Sequence, residues 1–505
     1  MLVYLALMLL TWRTMAWYPQ GFVPLQDQRY LIATVQLPDG AGVQRTAEVL
    51  DRIDRLVREV PGVTDTLTVA GMSFLYNANA PHWGSMFLVL DDYAHRRTPE
   101  TSMLGIIRAV RERCRLEVPD AVVGVYPAPP VKGLGTAGGF KFFLQDRGSL
   151  GPRVMQESVE KVVGVMEGWK LPMVVGDYRA DSPQYFLDID RDKIRALGIP
   201  ISSVFNTLQM DVGSLYVNNF NRFGRSWQVK VMADAPFRSS VADLRELKVV
   251  AAGGGMVPLA TVLDVRNAMG PAMMMRYNLY PAAPVTGIPN PFESGSLLID
   301  RVATTAATQL PESFSYEWSE VFLLQIKAGN TATVLLGLGV MLVFLVLAAL
   351  YESWSQPLAV ILVVPLCLLA AVGGLMVSKL PIDILAQVGL VVLVGLASKN
   401  AILIVEFSRQ LRAEGHDARS AALTASRLRL RPILMTSLAF ILGVFPLVVA
   451  RGAGAELRWS LGITVFAGMI GVTLFGIFLT PVFDFVLARL GERRRSDHDL
   501  NADRP

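Results

Sequence analysis

The sequence predicts a membrane α-helical bundle joined to a water-soluble α+β domain built of ferredoxin-like, split βαβ units. Three observations carry that prediction. Hydrophobic residues make up 52% of the 505 positions and charged residues only 18%, a balance that does not fit a soluble globular chain. Hydropathy is uneven, with a water-soluble stretch over residues 18–328 and five apolar stretches after Val334. Within the soluble stretch the periodicities of strand and helix follow one another as β-α-β-β-α-β.

In chain order, residues 1–17 open with an apolar run, Met1 to Leu10, which Thr11, Trp12 and Arg13 interrupt. The run stops short of the ~20 residues that cross a bilayer, so it reads as a partial transmembrane helix. A signal peptide is the alternative, but no basic residue precedes the run and no small-residue cleavage pattern follows it before Tyr18 and Pro19. Residues 30–37 (YLIATVQL) predict a strand, 42–59 an amphipathic helix, 63–70 and 85–91 strands, 100–115 a helix and 121–126 a strand. Together they form a first subdomain over 18–135. A looser repeat over 136–328 starts with a strand at Phe140–Gln145, continues with a helix near 154–169 and adds a strand at 184–190. Within it, residues 211–235 alternate between turn residues and extended runs and predict a hairpin in an insertion near 190–265, either a docking surface or an ordinary surface hairpin. Transmembrane helices follow at 334–351, 358–377, 384–405, 432–450 and 460–486 within 329–487, then a basic tail over 488–505. Arginines crowd the third connection (Arg409, Arg412, Arg419, Arg427, Arg429, Arg431) and the tail (Arg489, Arg493, Arg494, Arg495), which predicts that both are cytoplasmic. Residues 18–328 then lie on the opposite side, the periplasm in a bacterial envelope.

Several function classes fall away. A net charge of +4 is too balanced for a chain that binds nucleic acid by neutralising phosphates. Two cysteines, Cys114 and Cys367, make no disulfide framework. Gly133, Gly135 and Gly138 fit G-x-G-x-x-G, but Gly139 leads into the strand-like Phe140–Leu144 rather than the helix that a dinucleotide pyrophosphate needs. No phosphate-binding G-x-x-x-x-G-K-[ST] loop occurs, and His82, His95, His416 and His498 have no metal-ligand spacing. Met273, Met274 and Met275 are consecutive, so in a strand only two share a face, too few for a closed thioether site. An enzyme has no visible chemistry here, and neither a metal nor an organic cofactor is expected.

Lys399 is the exception. It stands in VGLASKNAILIVEF, about eight residues or roughly 12 Å from the helix end near Phe407. A lysine near the middle of a membrane helix costs about 2.5 to 3.5 kcal/mol, so it should face a protein interior and pair with a carboxylate. Glu352, Asp383, Glu406 and Asp484 all fall near helix ends, which places the partner in another stretch of polypeptide. A structural ion pair and a proton or ion relay are the two roles open to it; burial and a counter-charge pull a lysine's protonation in opposite directions, as a switch requires.

AALYESWSQPLAVILVVPL (348–366), VGLASKNAILIVEF (394–407), RLRLRPILMTSLAFILGVFPLV (427–448) and GAGAELRWSLGITVFAGMIGVTLFGIFLTPVF (452–483) closely resemble resistance-nodulation-division (RND) multidrug efflux pumps of the hydrophobe/amphiphile branch. VPLQDQ, TVQLPDGAGVQRT, GLGTAGGF, DIDRDKIRALGI, LYVNNFNRFGR and MVPLATV fall in the same family order. The resemblance covers only the C-terminal half of such a pump. It implies that residues 1–17 are part of the family's seventh helix and 329–487 its helices eight to twelve, with porter subdomains over 18–135 and 136–328 and a docking insertion. It also implies that paired aspartates in a missing N-terminal half form the proton site with Lys399, and that Thr436 and Arg429 stand at the other relay positions. Read without the family, Thr436 is a hydroxyl bonded to its own helix and Arg429 a positive-inside charge. Leu67, Val69, Met72, Phe74 and Phe87 fall on what resembles the hydrophobic substrate pocket, and Phe140, Phe142 and Leu144 on its entrance cleft, with core packing the alternative for each. Relatives have aromatics where this chain has Leu67 and Met72, and more glycines in the loop matching Ala70–Trp83. The implied protein is a proton antiporter, not an enzyme, driven by the proton-motive force: a homotrimer that exports hydrophobic, drug-like compounds with a periplasmic adaptor (membrane fusion) protein and an outer-membrane channel. Two other readings are a truncated, non-transporting fragment that acts at most as a binding or assembly module, and an exporter of metal or lipid.

Overall fold

The computed structural model of the chain describes residues 2–290, 293–329 and 331–502, with side chains for all of these except 2, 332 and 490–502. Within the basic tail, the side chains of Arg493, Arg494 and Arg495 therefore lie outside the described residues. The chain divides into two compact units, Met1–Tyr178 with Met274–Pro505, and Arg179–Met273.

After helix α1 (Leu2–Trp17) come β1 (Tyr30–Gln36), α2 (Val43–Arg58), β2 (Val63–Ser73), β3 (Ala78–Leu90), α3 (Met103–Glu117) and β4 (Val122–Pro127). The four strands form an antiparallel sheet in the order β2-β3-β1-β4. Strand alternation turns Leu31, Ala33 and Val35 of β1 and Met86, Leu88 and Leu90 of β3 into a core with Val49, Leu50 and Ile53 of α2 and Ile106, Val110 and Cys114 of α3. Strands β2 and β3 are longer than the sequence pattern predicts. The segment expected as a loop, Ala70–Trp83, continues the hairpin through Met72↔Asn79 and Ser73↔Ala78, with a register shift between Ala70 and Met72. Its single glycine, Gly71, takes φ +82° at that irregularity, a conformation that other residues rarely adopt.

A second sheet begins with β5 (Phe140–Asp146), α4 (Pro152–Glu167) and β6 (Met173–Gly176). The chain then forms the second unit: β7 (Ser182–Ile189), α5 (Arg191–Ala196), α6 (Ile201–Leu208), β8 (Leu215–Arg222), β9 (Arg225–Val231), α7 (Val241–Glu246), β10 (Lys248–Val250), β11 (Met256–Pro258) and β12 (Leu263–Gly270). Here β7 pairs with β12, β8 and β9 form a hairpin, and Ile194, Val204, Val249, Leu259 and Val262 make a separate core. The strand expected at 184–190 thus belongs to this unit and not to the second sheet. Periodicity identifies a strand without naming its partner, and the four-residue β6 is too short to announce itself.

The chain returns through β13 (Met275–Tyr277), β14 (Tyr280–Ile288), α8 (Gly295–Gln309), β15 (Phe314–Trp318) and α9 (Glu320–Ala328). With β14 at its centre, the second sheet pairs β6-β14-β5-β15, all antiparallel, and β13 adds to β14. Element for element this repeats the first sheet, β5-α4-β6 and β14-α8-β15 standing where β1-α2-β2 and β3-α3-β4 stand.

Among the described residues, five helical segments are long and apolar enough to cross a membrane: Thr333–Tyr351, Gln356–Ser378, Ile384–Ala413, Ala418–Val448 and Ala455–Arg489. They correspond to α10 (Thr331–Tyr351), α11 (Gln356–Ile361) with α12 (Val364–Ser378), α13 (Ile384–Ala413), α14 (Ala418–Val448) and α15 (Ala455–Ala502). The break between α11 and α12 precedes Pro365, which has no N–H to donate; α1 serves the carbonyls there, Tyr4 Oη donating to Leu362 O at 2.7 Å. Helices α13, α14 and α15 reach beyond their predicted ends. Arginines such as Arg412 and Arg419 end the hydropathy signal, yet arginine is a good helix former and the helices continue.

Candidate functional site

Asp383 caps the start of α13, its carboxylate accepting from Ala386 N at 2.8 Å and from Ser460 Oγ of α15 at 2.6 Å. Along α13, Leu390, Leu393, Val394, Ala397 and Ala401 pack into the helix bundle. The opposite stripe, Ile384, Val388, Val391, Val392, Gly395 and Lys399, is exposed. Lys399 therefore lies on a face of α13 that this chain's own helices leave uncovered. No carboxylate among the described residues forms an ion pair with it.

The next residue, Asn400, is buried and donates from Nδ2 to Ser437 Oγ of α14 at 3.0 Å. Lys399 and Thr436 each precede one of the two residues of that contact in sequence. Thr436 donates its hydroxyl to Ile433 O of its own helix at 3.1 Å. Arg429 stands two helical turns earlier, its guanidinium 4.5 Å from the centre of the Phe407 ring and its buried Nε without a hydrogen-bond partner among the described residues. No hydrogen bond or ion pair among the described residues joins Lys399, Thr436 and Arg429 to one another.

A second polar cluster lies further along α13. Asp484 of α15 is 3% exposed and accepts from Ser408 Oγ at 2.5 Å and Arg412 at 3.0 Å. The sequence places Asp484 at a helix end; continuation of α15 past it encloses the carboxylate instead.

In the first subdomain, β3 alternation sends Met86 and Leu88 into the core and so turns Phe87 to the other face of the sheet. Leu67 stands opposite Phe87 in register and is 57% exposed, and Val69 follows on the same face. Phe74 folds back onto Phe87, ring centres 4.8 Å apart, and Tyr30 stands 6.1 Å from Phe87 on the other side. The residue that fixes this arrangement is Ser85, which sequence patterning does not single out. Fully buried, it donates to Met72 O at 2.8 Å and accepts from Phe74 N at 3.0 Å. Leu67, Val69, Phe74 and Phe87, with Met72 held beside them, make an apolar, partly exposed face.

Phe140, Phe142 and Leu144 are different. All three are at most 2% exposed and pack with Met155, Val159 and Val302 of α4 and α8. They are core residues, which corrects their expected place in an entrance cleft: alternation puts them on the side of β5 that the two helices cover.

The chain matches the AcrB/AcrD/AcrF family over residues 1–489. It belongs to that family of resistance-nodulation-division transporters. Relatives of the AcrB/AcrD/AcrF chain include the multidrug/solvent efflux pump membrane transporter MepB of Pseudomonas putida, 36% identical over 493 residues, which are 96% of this chain and 46% of MepB. The multidrug export protein AcrF of Escherichia coli K12 is 37% identical over 479 residues, 93% of this chain and 46% of AcrF. The multidrug resistance protein MdtF of the same strain is 35% identical over 483 residues, 94% and 46% of the two chains. The AcrB/AcrD/AcrF chain thus spans about half the length of the curated relatives it matches. With its five candidate spans it is a multi-pass protein of the bacterial inner membrane.

Proposed function

We propose that this chain is the C-terminal half of a proton-driven exporter of hydrophobic and amphiphilic compounds. The observation that carries the reading is Lys399, a cation in a membrane helix on an uncovered face, with no carboxylate partner among the described residues. A second polypeptide bearing paired aspartates would cover that face and complete a relay with Lys399, Thr436 and Arg429. Proton uptake there would bias the helices between two arrangements and so move the porter subdomains, since a ligand shifts an equilibrium when it binds the two states unequally. The repeated β-α-β-β-α-β sheets support the reading of Tyr18–Ala328 as two ferredoxin-like porter subdomains in the periplasm, and the exposed hairpin Leu215–Val231 supports a docking insertion in a homotrimer. Leu67, Val69, Met72, Phe74 and Phe87 are the residues we assign to substrate contact. Passage onward through an adaptor protein and an outer-membrane channel belongs to the same proposal.

The test is Lys399→Met in this chain, expressed together with an upstream half. Export of a fluorescent dye should fall to background while the amount of protein in the membrane stays unchanged. Undiminished export by a well-expressed variant would remove the relay role. A chain that exports nothing with any upstream half would instead be an assembly module, and export of metal ions or lipid alone would replace the drug-like substrate class.

A further inference from the structure

The first subdomain and the membrane helices meet at a polar junction. The opening turns of α15 present Glu456 and Ser460 one helical turn apart, hence on one face of the helix. Ser460 Oγ donates to Asp383, the cap of α13, at 2.6 Å. Glu456 Oε1 accepts from the backbone N–H of Asp27, shortly before β1, at 3.4 Å. Asp27 is in turn fixed to the first sheet. Its carboxylate pairs with Arg96 Nη1 at 2.8 Å, its carbonyl accepts from Tyr93 Oη at 2.9 Å, and Arg96 Nε donates to Asp91 O just past β3. The Arg96 side chain is 2% exposed and lies 5.2 Å from the centre of the Tyr93 ring. The turn that leads into α15 is stiffened from within: Arg458 Nη2 donates to Arg451 O and Ala453 O, and Trp459 Nε1 to Ala450 O at 2.6 Å.

A carboxylate enclosed at the head of a membrane helix is expensive, and Oε2 of Glu456 is buried without a hydrogen-bond partner among the described residues. An apolar residue there would avoid that cost but lose the grip on Asp27. The polar links therefore form a clasp: Asp383 and Ser460 join α13 to α15, and Glu456 and Asp27 join α15 to the first sheet. The backbone supports the same junction, since Gly21 N donates to Ile382 O at 3.1 Å and Ile384 N to Phe22 O at 3.0 Å on the way from α1 to Asp27. We propose that Glu456 is the positioning residue of this clasp and fastens the first subdomain to the helix that carries Lys399. A tilt of α13 or α15 then displaces Asp27, Arg96 and the β1–β3 pair that bears Phe87 directly, and not only through the covalent connections. The fastening is a property of this chain alone; the transmission of movement rests on the exporter reading.

Hydrogen exchange measured by mass spectrometry on the full chain in nanodiscs tests the fastening. Glu456→Leu keeps the head of α15 apolar and removes the acceptor. Peptides covering residues 24–29 should then exchange about tenfold faster, with residues 103–117 of α3 within about twofold of the unsubstituted chain. Glu456→Gln retains a carbonyl oxygen for the Asp27 N–H and should stay within about threefold. Because Arg96 and Glu456 act on the same residue, Arg96→Gln combined with Glu456→Leu should exchange no faster than the faster single variant. Unchanged exchange in Glu456→Leu, equally fast exchange in Glu456→Gln, or effects that multiply in the double variant would overturn the clasp. With an upstream half present, Glu456→Leu should lower the maximal rate of dye export at least about fivefold while the half-saturating dye concentration moves less than about twofold, and Glu456→Gln should restore the rate. Undiminished export by Glu456→Leu would overturn the transmission of movement. An unsubstituted pair that exports nothing would remove the exporter reading and the transmission with it, whereas the exchange results would still decide the fastening.

Discussion

Ser85 is completely buried, and its one hydroxyl serves two backbone groups just past the irregularity at Gly71, Met72 O and Phe74 N. Ser85→Ala removes both bonds and leaves the Phe74 N–H unsatisfied, at a cost of about 1 to 2 kcal/mol. The expected outcome is a modest loss of stability together with faster hydrogen exchange at the Phe74 amide. An unchanged exchange rate would mean that the ring contact alone positions Phe74. Two other buried groups set a limit at high pH. Burial pushes the Cys114 thiol up to about 11 and the Tyr126 hydroxyl up to about 12. Both folded values are raised, so the stability they contribute is complete below the unfolded values near 9 and 10 and is lost as pH climbs through 9 to 12. For Cys114 the loss is about 3 kcal/mol, and Cys114→Val, which stays neutral, should keep more of its stability between pH 9 and 11 in urea titrations. At this scale the sequence is readable where chemistry is expensive, as at Lys399, and silent where one atom's geometry decides, as at Ser85. Phe140 illustrates the limit: alternation predicts that it shares a face with Phe142 and Leu144, but only the placement of α4 and α8 decides that the face is closed.

Between elements, α15 approaches its neighbours through small residues. A methyl group built on Gly471 would lie 2.3 Å from Ala370 Cβ of α12, and one on Gly468 would lie 2.2 Å from Leu393 of α13. Close backbone approach of this kind gives membrane helices much of their packing, since lipid offers no hydrophobic drive for association. Gly471→Leu should therefore lower the thermal unfolding temperature in detergent markedly, the overpacking costing about 1 to 3 kcal/mol or more. Gly476→Ala, on the same helix with open space around the added methyl, should not. Equal losses at the two positions would mean that the close contact at Gly471 is not what the substitution disturbs, since both changes improve helix propensity. Most elements were legible because their signals are long: α2, α3 and the five apolar helices each repeat a period several times. The strand β6 and the ends of α13 and α14 were not, because a four-residue strand carries no period and an arginine-rich helix end looks like a loop to a hydropathy profile.

At the scale of the whole molecule, the exposed stripe on α13 is the feature that the chain leaves unanswered. Val388, Val391, Val392 and Gly395 would be unremarkable against lipid, but Lys399 continues the same stripe and belongs there only if something polar meets it. The sequence alone shows that the acids of these helices sit elsewhere; the face on which the proposed partner would dock comes from the packing of α12, α14 and α15 against the rest of α13. A photo-crosslinking amino acid at Val392 makes the inference measurable. In membranes that contain this chain alone it should capture lipid, and on co-expression with an upstream half carrying paired aspartates it should capture that polypeptide. Replacing both aspartates by alanine should weaken the capture, because the ammonium would then be buried against a surface with no charge to meet it. Capture of lipid under every condition would mean that the lysine faces the bilayer in the assembled protein, and the case for an energy-coupling role at Lys399 would end there.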